Sequence, residues 1–190
     1  MPTCFLRIGP GLLVAALLLS RSLAAQSRFP DAWAGRWAGT LVTTAPPERE
    51  RNRVPLTLEI RPDSAPGRWI WRTVFNADTV RGLRDYRLLV VDAAAGRYQT
   101  DEGNGIVLED TWVAGALVSV FRVGPQVLES RYAMVGDTLV HDITWWHPDP
   151  TTTTTGRGPN GEGGLPVQSH RVLGRQRATF VRVAGPAAPR

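Results

Sequence analysis

Three histidines are the side chains of this sequence best suited to chemistry near neutral pH. His141 lies in an alternating apolar segment, whereas His147 and His170 flank a long stretch rich in Thr and Gly. Two imidazoles in one cavity can bind a metal ion or haem iron, whereas one can orient a polar ligand. A hydrogen-bonded histidine of the core or rim is the alternative. We predict no resident metal or cofactor, and haem on His141 or His170 stays open.

No residue pattern typical of an enzyme is present. The neighbouring acids at 101–102 and 109–110 lie in segments with strand character, where adjacent side chains point to opposite faces and cannot act as a facing pair. Ser119 and Ser130 lack the Gly-x-Ser-x-Gly elbow of a nucleophilic serine, and no phosphate-binding or dinucleotide-binding glycine motif occurs. We therefore predict no catalytic residues.

Aromatic side chains recur at alternate positions and can form the wall of a pocket. In the segment 69–75, two Trp and one Phe share one face of a strand. His141, Tyr132 and Ser119 are placed to orient a polar end of a ligand, and a filled core is the alternative use of the aromatics. The predicted ligand-binding residues are Trp69, Trp71, Phe75, Tyr86, Phe121, Tyr132, His141 and Trp145.

The elements that must position these residues are strands. Apolar positions alternate with period two between turns rich in Gly, Pro, Asn and Asp, and no segment shows helical periodicity. The pattern predicts an all-β fold, an antiparallel up-and-down β-barrel of about 8–10 strands, because a long meander avoids open edges by closing. The predicted strands are 35–43, 54–61, 68–76, 86–92, 97–100, 105–114, 116–123, 127–135, 138–146 and 168–183.

The two ends of the chain and one internal segment fall outside the barrel pattern. A short N-terminal region, an apolar run at 11–19 and small residues at 22–25 are typical of a secretory signal peptide, since the run is shorter than the about 20 residues that span a bilayer. We predict a signal peptide at 1–25, a lead-in at 26–34, a barrel at 35–183 with a long flexible loop at 148–166, and a disordered tail at 184–190. The only cysteine, Cys4, would leave with the signal peptide.

The basic residues are scattered along the chain. All 22 are arginine, against 17 acids, and most of them alternate with acids or strand residues. A nucleic-acid-binding surface would require a basic stripe. We therefore predict no nucleic-acid partner.

The segment "WAGRWAGT" opens the first predicted strand. Its Gly35-x-Trp37 resembles the opening motif of the calycin superfamily, which includes lipocalins, fatty-acid-binding proteins and nitrobindin-like haem barrels. The resemblance implies a calycin-like barrel in which Trp37, framed by Gly35 and Gly39, packs under the barrel floor against an arginine of the last strand. That arginine would be Arg177, with Arg182 as the alternative.

These observations together predict an exported protein, located in the periplasm or outside the cell, that binds a lipid or other hydrophobic small molecule in an apolar, aromatic-lined pocket. No membrane span is expected after cleavage. Two alternatives to this prediction remain. In the first, the chain is an envelope-associated structural domain that contacts a protein partner through Trp146. In the second, it is a haem-binding or enzymatic barrel that uses His141 or His170.

We expect signal peptidase to cleave after Ala24 or Ala25, so that the exported protein begins at Ala25 or Gln26. N-terminal sequencing and intact mass of protein from the periplasm and the medium measure this. An arginine introduced into the apolar run should leave the uncleaved precursor inside the cell. Exported protein that retains Arg7 would contradict the assignment.

Overall fold

The barrel consists of ten antiparallel strands that close on themselves. The structure is a computed structural model and describes residues 29–184. It confirms the all-β, up-and-down barrel that the alternating pattern predicts. Within this range no helix has the length and apolar character needed to cross a bilayer. The predicted signal peptide, the start of the lead-in and the tail at 185–190 lie outside the described residues.

The strands follow the sequence order closely. Each strand from β1 to β8 pairs with the next along the chain, and β12 pairs with both β9 and β1 to close the barrel. The strands are β1 Gly35–Ala45, β2 Arg49–Pro62, β3 Arg68–Phe75, β4 Leu83–Asp92, β5 Arg97–Asp101, β6 Val107–Val113, β7 Ala116–Val123, β8 Gln126–Val135, β9 Thr138–Trp146, β10 Thr152–Arg157, β11 Gly163–Ser169 and β12 Val172–Val183.

The segment between β9 and β12 differs from the prediction. The sequence pattern indicates a loop at 148–166 and one strand at 168–183, whereas the structure forms a separate two-stranded ribbon of β10 and β11 before β12 begins at Val172. The register pairs Thr152 with Ser169, and the turn is closed by a hydrogen bond from Gly158 N to Glu162 O. The two strands are joined by backbone hydrogen bonds, and β-branched threonines favour the extended conformation. Nearly all of the ribbon side chains are exposed, so the sequence shows no apolar alternation there.

Residues 29–34 belong to a separate short unit that precedes the barrel. A 3₁₀ turn spans Asp31–Trp33, and the Phe29 ring meets the Trp33 ring edge-on with 4.8 Å between centroids. This part of the lead-in is therefore ordered around its own aromatic pair.

Alternation along each strand divides the barrel residues into an inner and an outer set. The inner side chains that are almost completely enclosed gather towards the end of the barrel where β1 begins. They are Trp37, Leu58, Ile60, Leu88, Leu139 and Phe180. We call this end the floor, and the opposite end, where β1 joins β2, the mouth.

Trp37 is the central residue of the floor. It is 1% exposed, and the Arg182 guanidinium lies 4.3 Å from its ring centroid, because Trp37 and Arg182 are direct partners across β1 and β12. Gly35 has φ +143°, and a Cβ there would collide with the Arg182 guanidinium. A Cβ at Gly39 would collide with the backbone carbonyl of Thr179. Both glycines therefore allow the close approach of β12 to the Trp37 strand.

The assignment of Arg177 as the partner of Trp37 is wrong. On β12 the inward residues are Ala178 and Phe180, so Arg182 shares their face and Arg177 points outwards. There Arg177 lies 3.7 Å from the Asp142 carboxylate. Arg182 is the arginine that stacks on the indole.

Replacing Trp37 should destabilise the barrel strongly. We expect Trp37→Ala to lower the free energy of unfolding by about 3–5 kcal/mol, as for other buried aromatic truncations. Arg182→Gln should cost about 1 kcal/mol through the lost cation–π contact. Urea unfolding measures both, and Arg177→Gln is the matched control. An Arg177→Gln cost equal to that of Arg182→Gln would contradict the stacked geometry.

Candidate functional site

A cavity of about 170 Å³ lies inside the barrel, above the floor and towards the mouth. Its size is close to that of an engineered cavity of about 150 Å³ that binds benzene, and below the about 300 Å³ at which pockets for drug-sized ligands begin. Its walls are mostly apolar, with a few polar groups. The lining residues are Leu41, Leu56, Thr73, Phe75, Arg84, Tyr86, Tyr132, His141, Ile143, Gln176, Ala178 and Phe180.

His141 is the cavity residue with the most versatile chemistry. It projects from β9 opposite Tyr132 on β8, and the two rings stack with centroids 3.7 Å apart and planes at 5°. Its Nε2 forms a hydrogen bond of 2.9 Å with Ser130 Oγ. Burial away from water lowers the pKa of His141 to about 3. The imidazole is therefore neutral at physiological pH.

A neutral His141 suits ligand binding better than proton transfer. A general base works best when its pKa lies near the operating pH, and a pKa of about 3 leaves His141 a weak base. Its Nδ1 has no hydrogen-bond partner among residues 29–184. The hydroxyl of Ser130 can donate to Nε2 or accept from it, so Nδ1 can either donate to a ligand or accept from one.

Tyr132 is held rigidly beside His141. The indole of Trp71 meets the Tyr132 ring edge-on, with centroids 5.2 Å apart and planes at 81°. Burial raises the pKa of Tyr132, so it remains a neutral phenol. Stacking on one partner and edge contact with another fix this wall of the cavity.

A buried acid, Asp110, lies elsewhere in the barrel interior. Its carboxyl accepts a hydrogen bond of 2.6 Å from the Thr100 hydroxyl and interacts with the Ser119 hydroxyl. Burial raises the pKa of Asp110. Its neighbour Glu109 faces outwards and accepts a hydrogen bond from Gln99, so the two acids lie on opposite faces of β6, as strand geometry requires.

The structure brings together four of the eight predicted ligand-binding residues. Phe75, Tyr86, Tyr132 and His141 line the cavity. Trp69 and Trp71 are buried but lie outside its lining. Ser119, predicted to orient a ligand, is buried near the Asp110 carboxyl and does not line the cavity.

Two further predicted aromatics lie away from the cavity. Phe121 and Trp145 are half-buried, and the indole of Trp145 packs against Gly174 of β12. Trp146, the residue suggested for a protein contact, is also half-buried and pairs with Val127 and Val172.

Sequence reasoning did not identify Arg84 and Gln176 as cavity residues. Arg84 lies two residues before Tyr86, on the same face of β4, and Gln176 lies two residues before Ala178 on β12. The predicted strand begins at Tyr86, but extending its alternation two residues towards the N-terminus also places Arg84 on the inner face.

Of the three histidines, only His141 lines the cavity. His147 and His170 are exposed, and His170 Nδ1 lies 3.1 Å from the carbonyl oxygen of His147. A porphyrin is larger than a cavity of about 170 Å³, and Nε2 of His141 is already bonded to Ser130. Over residues 29–184, no group of three His, Cys, Asp or Glu side chains is arranged to hold a metal ion.

Comparisons with known proteins support the fold alone. No protein-family model matches the sequence. None of the curated proteins matches it significantly. A crystal structure of a protein of unknown function from the DUF3598 family of Nostoc punctiforme is similar, with a TM-score of 0.52 and 16% identity. The match covers 79% of this chain and 47% of that chain, so this chain spans less than half of the neighbour's length.

The pKa of His141 should make the barrel less stable in mild acid. The unfolded chain takes up a proton on this residue near pH 6.5, whereas the folded chain does so only near pH 3, so stability falls as the pH drops between these values. We expect a loss of about 2 kcal/mol from this residue on going from about pH 7.5 to about pH 5.

Urea unfolding of the wild type and His141→Gln at both pH values measures this contribution. The free energy of unfolding of His141→Gln should not show this loss at the lower pH. His147→Gln, which changes an exposed histidine, should show the same loss as the wild type. An identical pH dependence in His141→Gln and the wild type would contradict the assignment.

Proposed function

We propose that this chain is an exported, calycin-like barrel that binds one small, largely apolar molecule in its interior cavity. The observation that carries the proposal is a cavity with apolar walls that is also lined by a neutral His141, whose Nε2 is held by Ser130 and whose Nδ1 has no partner among residues 29–184. Such a combination of apolar walls and a few fixed polar groups is characteristic of small-molecule sites.

The contrast between the floor and the cavity supports a binding role. Protein interiors are packed as densely as organic crystals, and the floor follows this rule, with Ile60 and Leu139 completely buried. Above it, the side chains leave a space lined by Leu41, Leu56 and Phe180. These residues provide an apolar environment for the body of a ligand.

The polar groups define how such a ligand would lie. His141 Nδ1 can donate or accept a hydrogen bond, and the hydroxyl of Thr73 and the amide of Gln176 face the same space. Because Tyr132 and Ser130 hold the imidazole in place, little side-chain entropy is lost when a ligand bonds to it. A ligand with one hydroxyl or carbonyl group therefore fits the site.

The volume limits the size of the ligand. A space of about 170 Å³ accommodates a single ring or a short branched chain, whereas a long-chain lipid exceeds it. We therefore narrow the expected ligand from hydrophobic molecules in general to small ones.

Two features of the sequence and fold support the calycin-like assignment and export. The Gly-x-Trp motif places Trp37 under an arginine of the last strand, here Arg182. The three-part N-terminal sequence supports delivery to the periplasm or the exterior, where the ligand would be met.

Filling the cavity should abolish binding. Phenol is a suitable probe, since it combines one ring with one hydroxyl, and we expect it to bind with a Kd of about 0.1–1 mM. Ala178→Leu adds a side chain directly into the cavity, whereas Thr179→Leu adds the same side chain to the outer face of β12. Isothermal titration calorimetry should show binding to the wild type and Thr179→Leu, but not to Ala178→Leu.

Circular dichroism establishes that each variant remains folded. Equal phenol affinity in Ala178→Leu and the wild type would exclude the cavity as the site. Absence of binding by phenol, toluene and benzamide to the wild type would overturn the proposed function.

A further inference from the structure

We infer that the ligand of the cavity is an anion, a small aromatic carboxylate whose carboxyl group is bound by Arg84 at the mouth. The inference rests on the proposed function and specifies its ligand. Among the twelve residues that line the cavity, Arg84 carries the only formal charge, because His141 is neutral.

The guanidinium of Arg84 is fixed in place by the backbone. Its Nη1 donates hydrogen bonds to two carbonyl oxygens, that of Arg81 at 3.1 Å and that of Leu83 at 2.9 Å. The group also lies 5.8 Å from the centroid of the Phe75 ring, which itself lines the cavity. These contacts hold the Nη1 side of the guanidinium and thereby orient Nε and Nη2.

The opposite edge of the guanidinium is available. Nε and Nη2 of Arg84 have no hydrogen-bond partner among residues 29–184. Two parallel N–H groups on one edge match the two oxygens of a carboxylate, which is the geometry of the strongest arginine pairs. Because the side chain is already oriented, its binding costs little entropy.

The acids near Arg84 in the fold are engaged elsewhere. On the outer face of the same strand, Arg87 and Arg72 share the carboxylate of Asp85. At the mouth, Glu102 lies near the Tyr86 hydroxyl and accepts a hydrogen bond of 3.3 Å from Asn104. No carboxylate within the described part of the chain lies at ion-pair distance from Arg84.

The position of Arg84 relative to the cavity determines the shape of the ligand. Arg84 is exposed at the mouth, whereas Leu56 and Phe180 are enclosed. An aromatic ring buried against the apolar wall can therefore extend a carboxylate outwards to Arg84 without burying its charge. Benzoate has this shape, and benzamide is its neutral analogue of nearly equal size.

The test compares these two probes with the purified chain. Isothermal titration calorimetry should show that benzoate binds the wild type about fivefold to tenfold more tightly than benzamide. Arg84→Gln should remove this preference, because benzoate loses its charged partner, whereas the affinity of neutral benzamide should fall much less. Arg84→Lys, which keeps the charge but loses the planar fork, should retain part of it.

A matched control separates a specific contact from general attraction. Arg81→Gln removes a neighbouring positive side chain, and its backbone carbonyl, which holds Arg84, remains. Benzoate should bind this variant as it binds the wild type. An equal loss in Arg81→Gln and Arg84→Gln would overturn the inference, since the preference would then come from the overall field.

The outcomes also distinguish this inference from the proposed function. If benzamide binds and benzoate shows less than about a twofold advantage, the anion specificity is wrong while the cavity remains a ligand site. If benzoate binds and Arg84→Gln does not weaken it, Arg84 is not the carboxylate partner. Failure of both probes, together with phenol, would overturn both conclusions.

Discussion

The pairing of β1 with β12 is the constraint on which the interior of this protein depends, because it joins the first strand of the meander to the last. Nine residue pairs form this junction, from Arg36 opposite Val183 to Thr44 opposite Arg175. Once the register is fixed, every residue of β12 has a defined face. Arg182 then lies over Trp37, and Arg177 must point outwards.

Closure also produces the environment that changes the chemistry of the interior polar groups. With every barrel strand paired on both sides, water reaches the inner face only through the ends. Burial then lowers the pKa of His141 and raises that of Asp110. Both shifts favour the neutral form of the group, so the closed interior disfavours charge on either side chain.

The sequence predicted the strands and much of the inner face because alternation is a local property. Phe75, Tyr86, Tyr132 and His141 were all assigned inwards from their position in a strand, and all line the cavity. The parity of β12, read from Ala178 and Phe180, already favoured Arg182 over Arg177. The Gly-x-Trp motif alone does not select between the two arginines, whereas this parity does.

What the sequence could not provide is the depth of each residue along the barrel axis. Trp71 and Phe75 share a face of β3, yet only Phe75 reaches the cavity. Their depth depends on how each strand is staggered against its neighbours, which is a property of pairs of distant segments. The sequence did not predict strands β10 and β11 for a related reason, because they pair only with each other and show no apolar pattern.

The arginines of the barrel illustrate how the two faces differ. On the outer face several of them pair with acids on neighbouring strands, as in the 2.6 Å contact between Arg175 and Asp142. At the floor, Arg182 is satisfied by an indole in a site where β12 approaches closely. Among residues 29–184, Arg84 at the mouth has no acid at ion-pair distance; it lies over the Phe75 ring, and two carbonyl groups set its orientation. The same side chain thus closes one end of the barrel, while at the other end it presents a fixed donor edge towards the cavity.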